Sequence, residues 1–174
     1  ILAKHQLERI PRTFSEHVTL LYDNYHEVTN EIKKHIPLID KRYRDIVIKN
    51  EEFFDSLIDL TREYNHGYME YVRNREKFFK KIGNREIDCV QYELLRIALQ
   101  IYFDDFVKLK ECYHMMVSNK ISMATPTRAN SCMKNNPLAS CFIARIKGDS
   151  IEGIYESLKD IALISKNCGG IGID

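Results

Sequence analysis

The chain has 174 residues, of which 44% are hydrophobic and 29% are charged, and its formal net charge is +1. These totals predict a globular protein of one domain, or of one domain and part of another, with enough apolar material for a core. Basic and acidic residues interleave along the chain, which gives no support to DNA or RNA binding. No apolar run approaches the roughly 20 residues that cross a bilayer, so we expect no membrane partner.

The cysteines are scattered along the chain and lack the dense spacing of a secreted disulfide scaffold. No signal peptide opens the sequence. We therefore expect a cytoplasmic, reducing location in which any thiol chemistry is catalytic. The five cysteines are Cys89, Cys112, Cys132, Cys141 and Cys168.

Helical periodicity describes the first part of the chain. Apolar spacing predicts a helix over residues 1–29 and a second helix over about 45–64, with a break over 35–41 that contains Pro37. The apolar face of the first helix consists of Phe14, Val18, Leu21, Tyr25 and Val28. The second helix is expected to bury Ile46, Phe53, Phe54, Leu57 and Ile58.

The stretch 78–89 has a different pattern, because Gly83-Asn84 separates two short runs and predicts the tight turn of a small β-hairpin. Helical periodicity then returns over 90–102 and again over 106–119. Asp104-Asp105 lies between these two helices and is expected to interrupt the first and cap the second.

Composition changes after residue 120. Residues 122–137 are rich in Thr, Pro, Ser and Asn and have no period, which predicts a loop and places a domain boundary near residue 120. The stretch 138–146 is apolar on both alternating faces, as in a strand covered on both sides in a parallel sheet or barrel. We therefore divide the chain into a helical region, 1–120, and a second region, 121–174.

A capped helix follows that strand. Asp149 is predicted as the N-cap, with Glu152 three residues later completing a capping box, and the helix runs to Lys166, whose charge suits its last turn. Gly169-Gly170 supplies a C-cap, and Ile171 begins a second strand that should be parallel to the first. Since a parallel sheet needs several strands, we expect these residues to be part of a larger protein.

Taken singly, the chemically reactive residues of the chain do not identify a function. Spacing alone favours Cys141 as an ordinary core cysteine, because a redox thiol needs a second cysteine nearby and the chain has no Cys-x-x-Cys pair. Thr125-Pro126-Thr127 fits a stiff loop better than a phosphate contact, and the glycines after Cys168 fit a plain helix end. Cys112 and His114 have no second ligand pair, so no metal site is expected.

Together, however, the motifs of the last third closely resemble one family. The segments ATPTRANS, PLASCF and GDSIEGIYESLKDIALISKNCGGIGI are similar to the large catalytic subunit of ribonucleotide reductase, almost without gaps from Ser122 to Asp174. The opening ILAKHQLERIPRTFSEHV resembles the start of that family's helical domain, after the ATP cone. The resemblance implies a mainly α fold in which a helical N-terminal domain precedes the first βα unit of a ten-stranded α/β barrel.

The resemblance also implies a reaction and its residues. Family members reduce ribonucleoside diphosphates to deoxyribonucleotides by thiyl-radical chemistry, and Cys141 matches the first cysteine of the redox pair. Thr125, Ser140, Gly169 and Gly170 match substrate-binding positions. The positions that match the deoxynucleotide effector site are Asp149, Ser150, Ile151 and, more weakly, Lys166.

Partners follow from the same resemblance: a homodimer of large subunits, a small metal-containing subunit that supplies the radical, thioredoxin or glutaredoxin as dithiol reductant, and dNTP or ATP effectors. We expect no cofactor bound within this segment. The radical-bearing cysteine, the second redox cysteine and the C-terminal thiols have no counterpart here, so the segment alone is predicted to be inactive.

Two alternatives remain open. The chain could be a non-enzymatic helical interaction or dimerisation module, or a truncated paralogue. A more distant reading is another radical enzyme that shares the barrel.

Overall fold

The computed structural model describes residues 7–29, 32–134, 137–167 and 169–174. The described chain is mainly helical, with short strands that pair two by two. It forms two compact units, which divide between residues 134 and 135. The predicted mainly α architecture is therefore confirmed, whereas the barrel to which the second unit would belong remains a prediction.

The helices of the first unit are α1 Phe14–Tyr22, α2 Lys41–Lys49, α3 Glu51–Ser56, a 3-10 helix Leu60–Asn65, α4 Tyr68–Lys77, α5 Val90–Tyr102, α6 Phe106–Val117 and α7 Thr125–Asn130. Its strands form two antiparallel hairpins, β1 Tyr25–Thr29 with β2 Ile32–His35 and β3 Lys81–Ile82 with β4 Arg85–Glu86. The second unit consists of β5 Cys141–Ala144, α8 Ile151–Lys166 and β6 Gly170–Ile173.

The prediction of one helix over 1–29 is wrong outside Phe14–Tyr22, since residues 8–13 are not helical and strand β1 begins at Tyr25. Phe14, Val18 and Leu21 are fully buried on one face of α1, as expected, but the predicted face continues into strand β1. Just after the helix, the side-chain amide of Asn24 donates to the carbonyl oxygen of Ile36 at 2.7 Å and so ties the returning chain to this end of α1. Residues 1–6 of the predicted helix lie outside the described residues.

The single helix predicted over 45–64 is also wrong, because three shorter elements cover this stretch. The carboxylate of Asp40 accepts a hydrogen bond from Arg42 N at 3.0 Å and starts α2 earlier than predicted. Asn50 leaves helical geometry at φ −129°, and Asp59 caps a separate 3-10 helix. Short polar side chains favour such caps over helix interiors, which explains the interruptions.

The hairpin around Gly83 and the two helices after it are confirmed. Gly83 has φ +56°, a conformation that glycine adopts without strain, and β3 pairs with β4 across it. Asp105 caps α6 by accepting a hydrogen bond from Lys108 N at 3.2 Å.

Helix α5 forms the centre of the first unit. Leu95, Ile97, Ala98 and Leu99 are all fully buried, and a helix that is buried on every side is surrounded by other elements. Polar side chains within α5 therefore have to find partners inside the protein.

The stretch predicted as a loop over 122–137 contains a short helix and packs with the first unit. Pro126 lies in the first turn of α7, where its missing N–H is harmless. Ile39 and Met133 form a β-bridge, and Asp40 N donates to the carbonyl oxygen of Cys132 at 3.0 Å. The compact units therefore divide later than the predicted boundary near residue 120.

The second unit has the predicted strand–helix–strand order with parallel strands, and α8 ends at Lys166 as predicted but begins one residue later than predicted, at Ile151. The prediction that its first strand is covered on both faces is not met in this unit. Cys141 is exposed, and Ile143 is 82% exposed. Within the described residues β5 pairs only with β6, and α8 is the helix that belongs to the same unit.

Candidate functional site

Four of the predicted site residues meet at one end of the parallel pair β5–β6. The Cα atoms of Cys141 and Gly170 lie opposite each other in the ladder, and Gly170 N donates to the carbonyl oxygen of Ser140 at 2.7 Å. The hydroxyl oxygen of Ser140 lies 3.6 Å from the sulfur of Cys141. We call this edge, formed by Ser140, Cys141, Gly169 and Gly170, the thiol edge. It presents an exposed thiol beside backbone that a substrate can approach closely.

Gly169 is required at this edge by packing. A Cβ atom at this position would lie 2.6 Å from Ile164 Cγ2 and 2.9 Å from Phe142 Cε2. The amide of Gly169 also donates to the carbonyl oxygen of Ile164 at 3.1 Å. The turn between α8 and β6 therefore packs tightly against both the helix and the first strand. Cys168, in the same glycine-rich segment, lies outside the described residues.

Three of the predicted effector residues lie at the opposite end of the unit, where α8 begins. The N-cap is Ser150, whose Oγ accepts from Gly153 N at 3.1 Å, so the prediction of Asp149 as N-cap is wrong by one residue. Asp149 precedes the cap and is exposed, and Ile151, the first helical residue, is 72% exposed. This segment places the exposed carboxylate of Asp149, which can accept hydrogen bonds, beside a helix N-terminus, which favours anionic groups.

Lys147 fastens this segment to the helix. Its backbone N donates to Ser157 Oγ at 3.0 Å, while Ser157 Oγ donates to the carbonyl oxygen of Gly153 at 2.7 Å. The ammonium of Lys147 lies 2.8 Å from Asp160 and 3.0 Å from Glu156, and these hydrogen bonds, first that to Asp160, raise the pKa of Lys147.

Lys166 does not join this group. It ends a helix of 16 residues, which is about 24 Å long, so Lys166 lies at the end of α8 that precedes the thiol edge. Thr125 belongs to the first unit, where it begins α7 and has an exposed side chain. The structure therefore assembles the thiol edge and the start of α8, and it separates Lys166 from the other predicted effector residues.

A cavity of about 430 Å³ lies beside α7 within the first unit, and sequence reasoning did not find it. Its lining includes Asn74, Gln91, Asn119, Ser122 and Arg128. Arg128 is bonded there to Glu93 of α5, with Nε 2.6 Å from Oε1. The one available signal in the sequence was a glutamate within the otherwise largely apolar run that forms α5.

A second buried polar group holds α1 to α5. The guanidinium of Arg96 donates to both carboxylate oxygens of Asp88, at 2.9 and 2.7 Å, and to His17 Nε2 at 2.6 Å. Because His17 Nε2 accepts, its Nδ1 carries the proton and donates to the carbonyl oxygen of Ile87 at 2.8 Å. Burial lowers the pKa of His17 to about 4, although the Asp88 charge opposes this. The group is fully enclosed, which indicates a structural role.

The cysteines divide by exposure. Cys89, Cys112 and Cys132 are buried, and burial raises the pKa of all three thiols. Among the described cysteines, Cys141 is the exposed one. Across the described ranges no group of three His, Cys, Asp or Glu side chains is placed to hold a metal ion. None of the helices in the described part of the chain is long and apolar enough to cross a membrane.

Comparison with known proteins gives consistent matches. A family model for the ribonucleotide reductase barrel domain matches residues 139–174. The ribonucleoside-diphosphate reductase large subunit of Plasmodium falciparum (isolate Dd2) is 38% identical over 136 residues, which cover 78% of this chain and 17% of that protein. The large chain of Encephalitozoon cuniculi is 32% identical over 166 residues, covering 95% of this chain and 21% of that protein.

The large subunit of Danio rerio is 34% identical over 162 residues, covering 93% of this chain and 20% of that protein. The chain thus spans about a fifth of the length of the curated relatives it matches. The family match falls on the unit that contains β5, α8 and β6, and the relatives extend the similarity through the helical unit. The chain belongs to the ribonucleotide reductase large-subunit family.

Proposed function

We propose that this chain forms part of a large subunit that reduces ribonucleoside diphosphates to deoxyribonucleotides, with Cys141 as one thiol of the redox pair. The observation that carries the proposal is the thiol edge, where an exposed cysteine lies between a serine and a glycine turn that lets a substrate approach the backbone. The relatives at 32 to 38% identity are named for this activity.

The proposed chemistry needs two thiols. Replacing the 2′ hydroxyl of the ribose by hydrogen releases water and takes two electrons, and two cysteine thiols supply these electrons as they become a disulfide. Cys89, Cys112 and Cys132 are buried, and neither these three nor Cys168 stands in a sequence context that resembles the family's second redox cysteine, so we assign the second thiol to a part of the large subunit outside residues 1–174. A thiyl radical would start the reaction, generated through a small metal-containing subunit, and thioredoxin or glutaredoxin would reduce the disulfide afterwards.

We assign substrate contacts to Thr125, Ser140, Gly169 and Gly170. Ser140 and the two glycines lie next to the thiol, which supports contacts to the sugar. Thr125 is an exposed residue at the start of α7, and its hydroxyl can donate a hydrogen bond to a diphosphate oxygen.

We assign Asp149, Ser150 and Ile151 to a deoxynucleotide effector site at the interface of a homodimer. The exposed carboxylate of Asp149 can accept from a ribose hydroxyl, and the N-terminus of α8 favours phosphate. Lys166 lies about 24 Å away along the 16-residue helix, so it would enter such a site only from the second subunit.

A second candidate function is a non-enzymatic dimerisation module. The observation in its favour is the apolar stripe of α8, where Ile151, Tyr155 and Leu158 are 72%, 70% and 52% exposed. An exposed stripe of this kind marks an interaction surface. The same stripe also fits the homodimer interface of the proposed reductase. A measurement of reductase activity therefore decides between the reductase and the non-enzymatic module.

The deciding experiment measures turnover. The complete large subunit, supplied with the small radical subunit, a dithiol and CDP, should form dCDP, whereas residues 1–174 alone should form none. No dCDP from the complete protein would refute the reductase and favour the module. Turnover by residues 1–174 alone would refute our assignment of the second thiol.

A further inference from the structure

Helix α7 is too short to determine its own orientation. It spans six residues, Thr125–Asn130, and an isolated helix of this length is unstable in water. Its contacts with the rest of the first unit must therefore fix it in place. Those contacts decide where the hydroxyl of Thr125 points.

The principal contact is made by Arg128. Its Nε donates to Glu93 Oε1 at 2.6 Å, and its second terminal nitrogen (Nη2) donates to Glu93 Oε2 at 3.1 Å and to Asn74 Oδ1 at 3.2 Å. The guanidinium carbon also lies 4.0 Å from the centre of the Phe78 ring. Because the planar guanidinium holds the carboxylate with two hydrogen bonds, it fixes the orientation of Arg128 relative to Glu93 as well as the distance between them.

Glu93 is a rigid partner for this fork. Its side chain is fully buried on the central helix α5, whereas the side chain of Arg128 is 20% exposed. Burial raises the pKa of Glu93, although the hydrogen bond and charge of Arg128 oppose that rise. Removal of Arg128 would leave the fully buried Glu93 carboxylate without its two hydrogen bonds, so the pair ties α7 to α5.

The backbone of Arg128 links this pair to Thr125. Arg128 N donates to the carbonyl oxygen of Ala124 at 3.0 Å and so closes the first turn of α7, which begins at Thr125. At the other end of α7, Lys80 Nζ donates to the carbonyl oxygen of Ala129. The helix is thus held at both ends, and Arg128 acts on the turn that carries Thr125.

We propose that Arg128, held by Glu93, is a positioning residue that sets the orientation of Thr125 toward the diphosphate of the substrate. This inference rests on the proposed function, since it requires that Thr125 contacts substrate. Arg128 itself makes no contact with the reacting atoms. It acts by keeping the first turn of α7 in a single place.

The test compares Arg128→Met with wild type in the complete large subunit. Methionine keeps an unbranched stem against Phe78 and removes the fork. We expect the KM for CDP to rise on the order of tenfold while kcat changes less than about twofold, because binding geometry is lost without loss of the thiol. Asp45→Asn, which removes an exposed ion pair with Arg44, serves as the control and should leave both constants unchanged.

A second measurement does not depend on activity. Amide hydrogen exchange in the substrate-free protein should be about tenfold faster over Thr125–Asn130 in Arg128→Met, with Val90–Tyr102 unchanged. Arg128→Lys should restore only part of the protection, because the single nitrogen of a lysine ammonium cannot reproduce the planar two-nitrogen contact that Arg128 makes with the Glu93 carboxylate. Glu93→Gln, which keeps the side-chain shape, provides the same test if the methionine variant does not fold.

The outcomes separate the two proposals. If the wild-type protein forms no dCDP, the proposed function fails. Independently of activity, the anchoring of α7 by Arg128 is overturned if amide exchange over α7 is as slow in Arg128→Met as in wild type. If wild type is active and the KM of Arg128→Met is unchanged, the positioning role is wrong. A loss of kcat together with a general fall in Tm would indicate a merely structural pair and would also overturn the inference.

Discussion

The amide of Gly170 donates a 2.7 Å hydrogen bond to the carbonyl oxygen of Ser140, the residue directly before Cys141. This bond starts the parallel ladder and fixes its register, with Cys141 opposite Gly170. Two segments that are far apart in the sequence are thereby joined at one edge. The exposed thiol and the glycine turn form one small surface, on which the proposed redox site is built.

Substitution of Gly169 should disturb that surface. In Gly169→Ala the added methyl group would lie 2.6 Å from Ile164 Cγ2, so the helix end or Phe142 must shift, at a cost of about 1–3 kcal/mol. We expect faster amide exchange over Gly170–Ile173. Gly172→Ala is the matched control, since nothing lies within 4 Å of a Cβ there. Equal exchange in the two variants would contradict this packing.

The N-cap of α8 can be tested by comparing neighbours. Ser150→Ala removes the acceptor for Gly153 N and should destabilise the start of the helix by about 1 kcal/mol, because that backbone donor loses its partner. Asp149→Ala should leave the helix unchanged and weaken dATP binding to the complete subunit. Amide exchange in the first turn and equilibrium dialysis with dATP measure the two effects. If Asp149→Ala speeds amide exchange in the first turn more than Ser150→Ala does, Asp149 and not Ser150 is the N-cap.

The buried pair of Asp88 and Arg96 should dominate the stability of the first unit. Arg96→Met leaves the Asp88 carboxylate buried without its guanidinium, and we expect a loss of about 3–5 kcal/mol in the free energy of unfolding. Asp45→Asn, at an exposed ion pair, should change it by less than about 1 kcal/mol. Urea unfolding measures both variants. Similar losses of unfolding free energy in Arg96→Met and Asp45→Asn would contradict the claim that the buried Asp88–Arg96 pair dominates the stability of the first unit.

His17 should make stability depend on pH. Its folded pKa is about 4 and its ordinary value is 6.5, so between these pH values the unfolded chain binds a proton that the folded protein does not. Stability is therefore lost as pH falls from about 6.5 to 4, by on the order of 3 kcal/mol.

His17→Gln provides the comparison for that effect, because an amide can also donate and accept but does not titrate. The difference in unfolding free energy between wild type and His17→Gln should change across this window, and NMR titration of His17 should give a midpoint near 4. A difference that stays constant from pH 7 to pH 4 would contradict the neutral, buried histidine.

Local signals predicted the elements whose causes are local. Helix α8 combines an amphipathic stripe with a polar cap, and the Gly83 turn requires a positive φ of +56°, so both could be predicted from short stretches. The parallel pairing of β5 and β6 followed from the same logic, since a helix between two strands returns the chain in the same direction.

Features that depend on distant partners could not be predicted. The apolar spacing of α1 continues into strand β1, whose pairing with β2 is set by residues later in the chain. The exposure of Ile143 depends on which elements cover β5. The bond between Arg128 and Glu93 joins residues 35 apart, which no local period reports.

The role of Cys141 is the central claim, and substitution of Cys141 tests it most directly. Cys141→Ser should be introduced into the complete large subunit, and dCDP formation should be followed through repeated cycles with the small subunit and a dithiol. A hydroxyl cannot form the disulfide, so we expect turnover to stop while CDP and dATP binding stay at wild-type affinity. Near-normal turnover over many cycles would contradict the assignment of Cys141 to the redox pair.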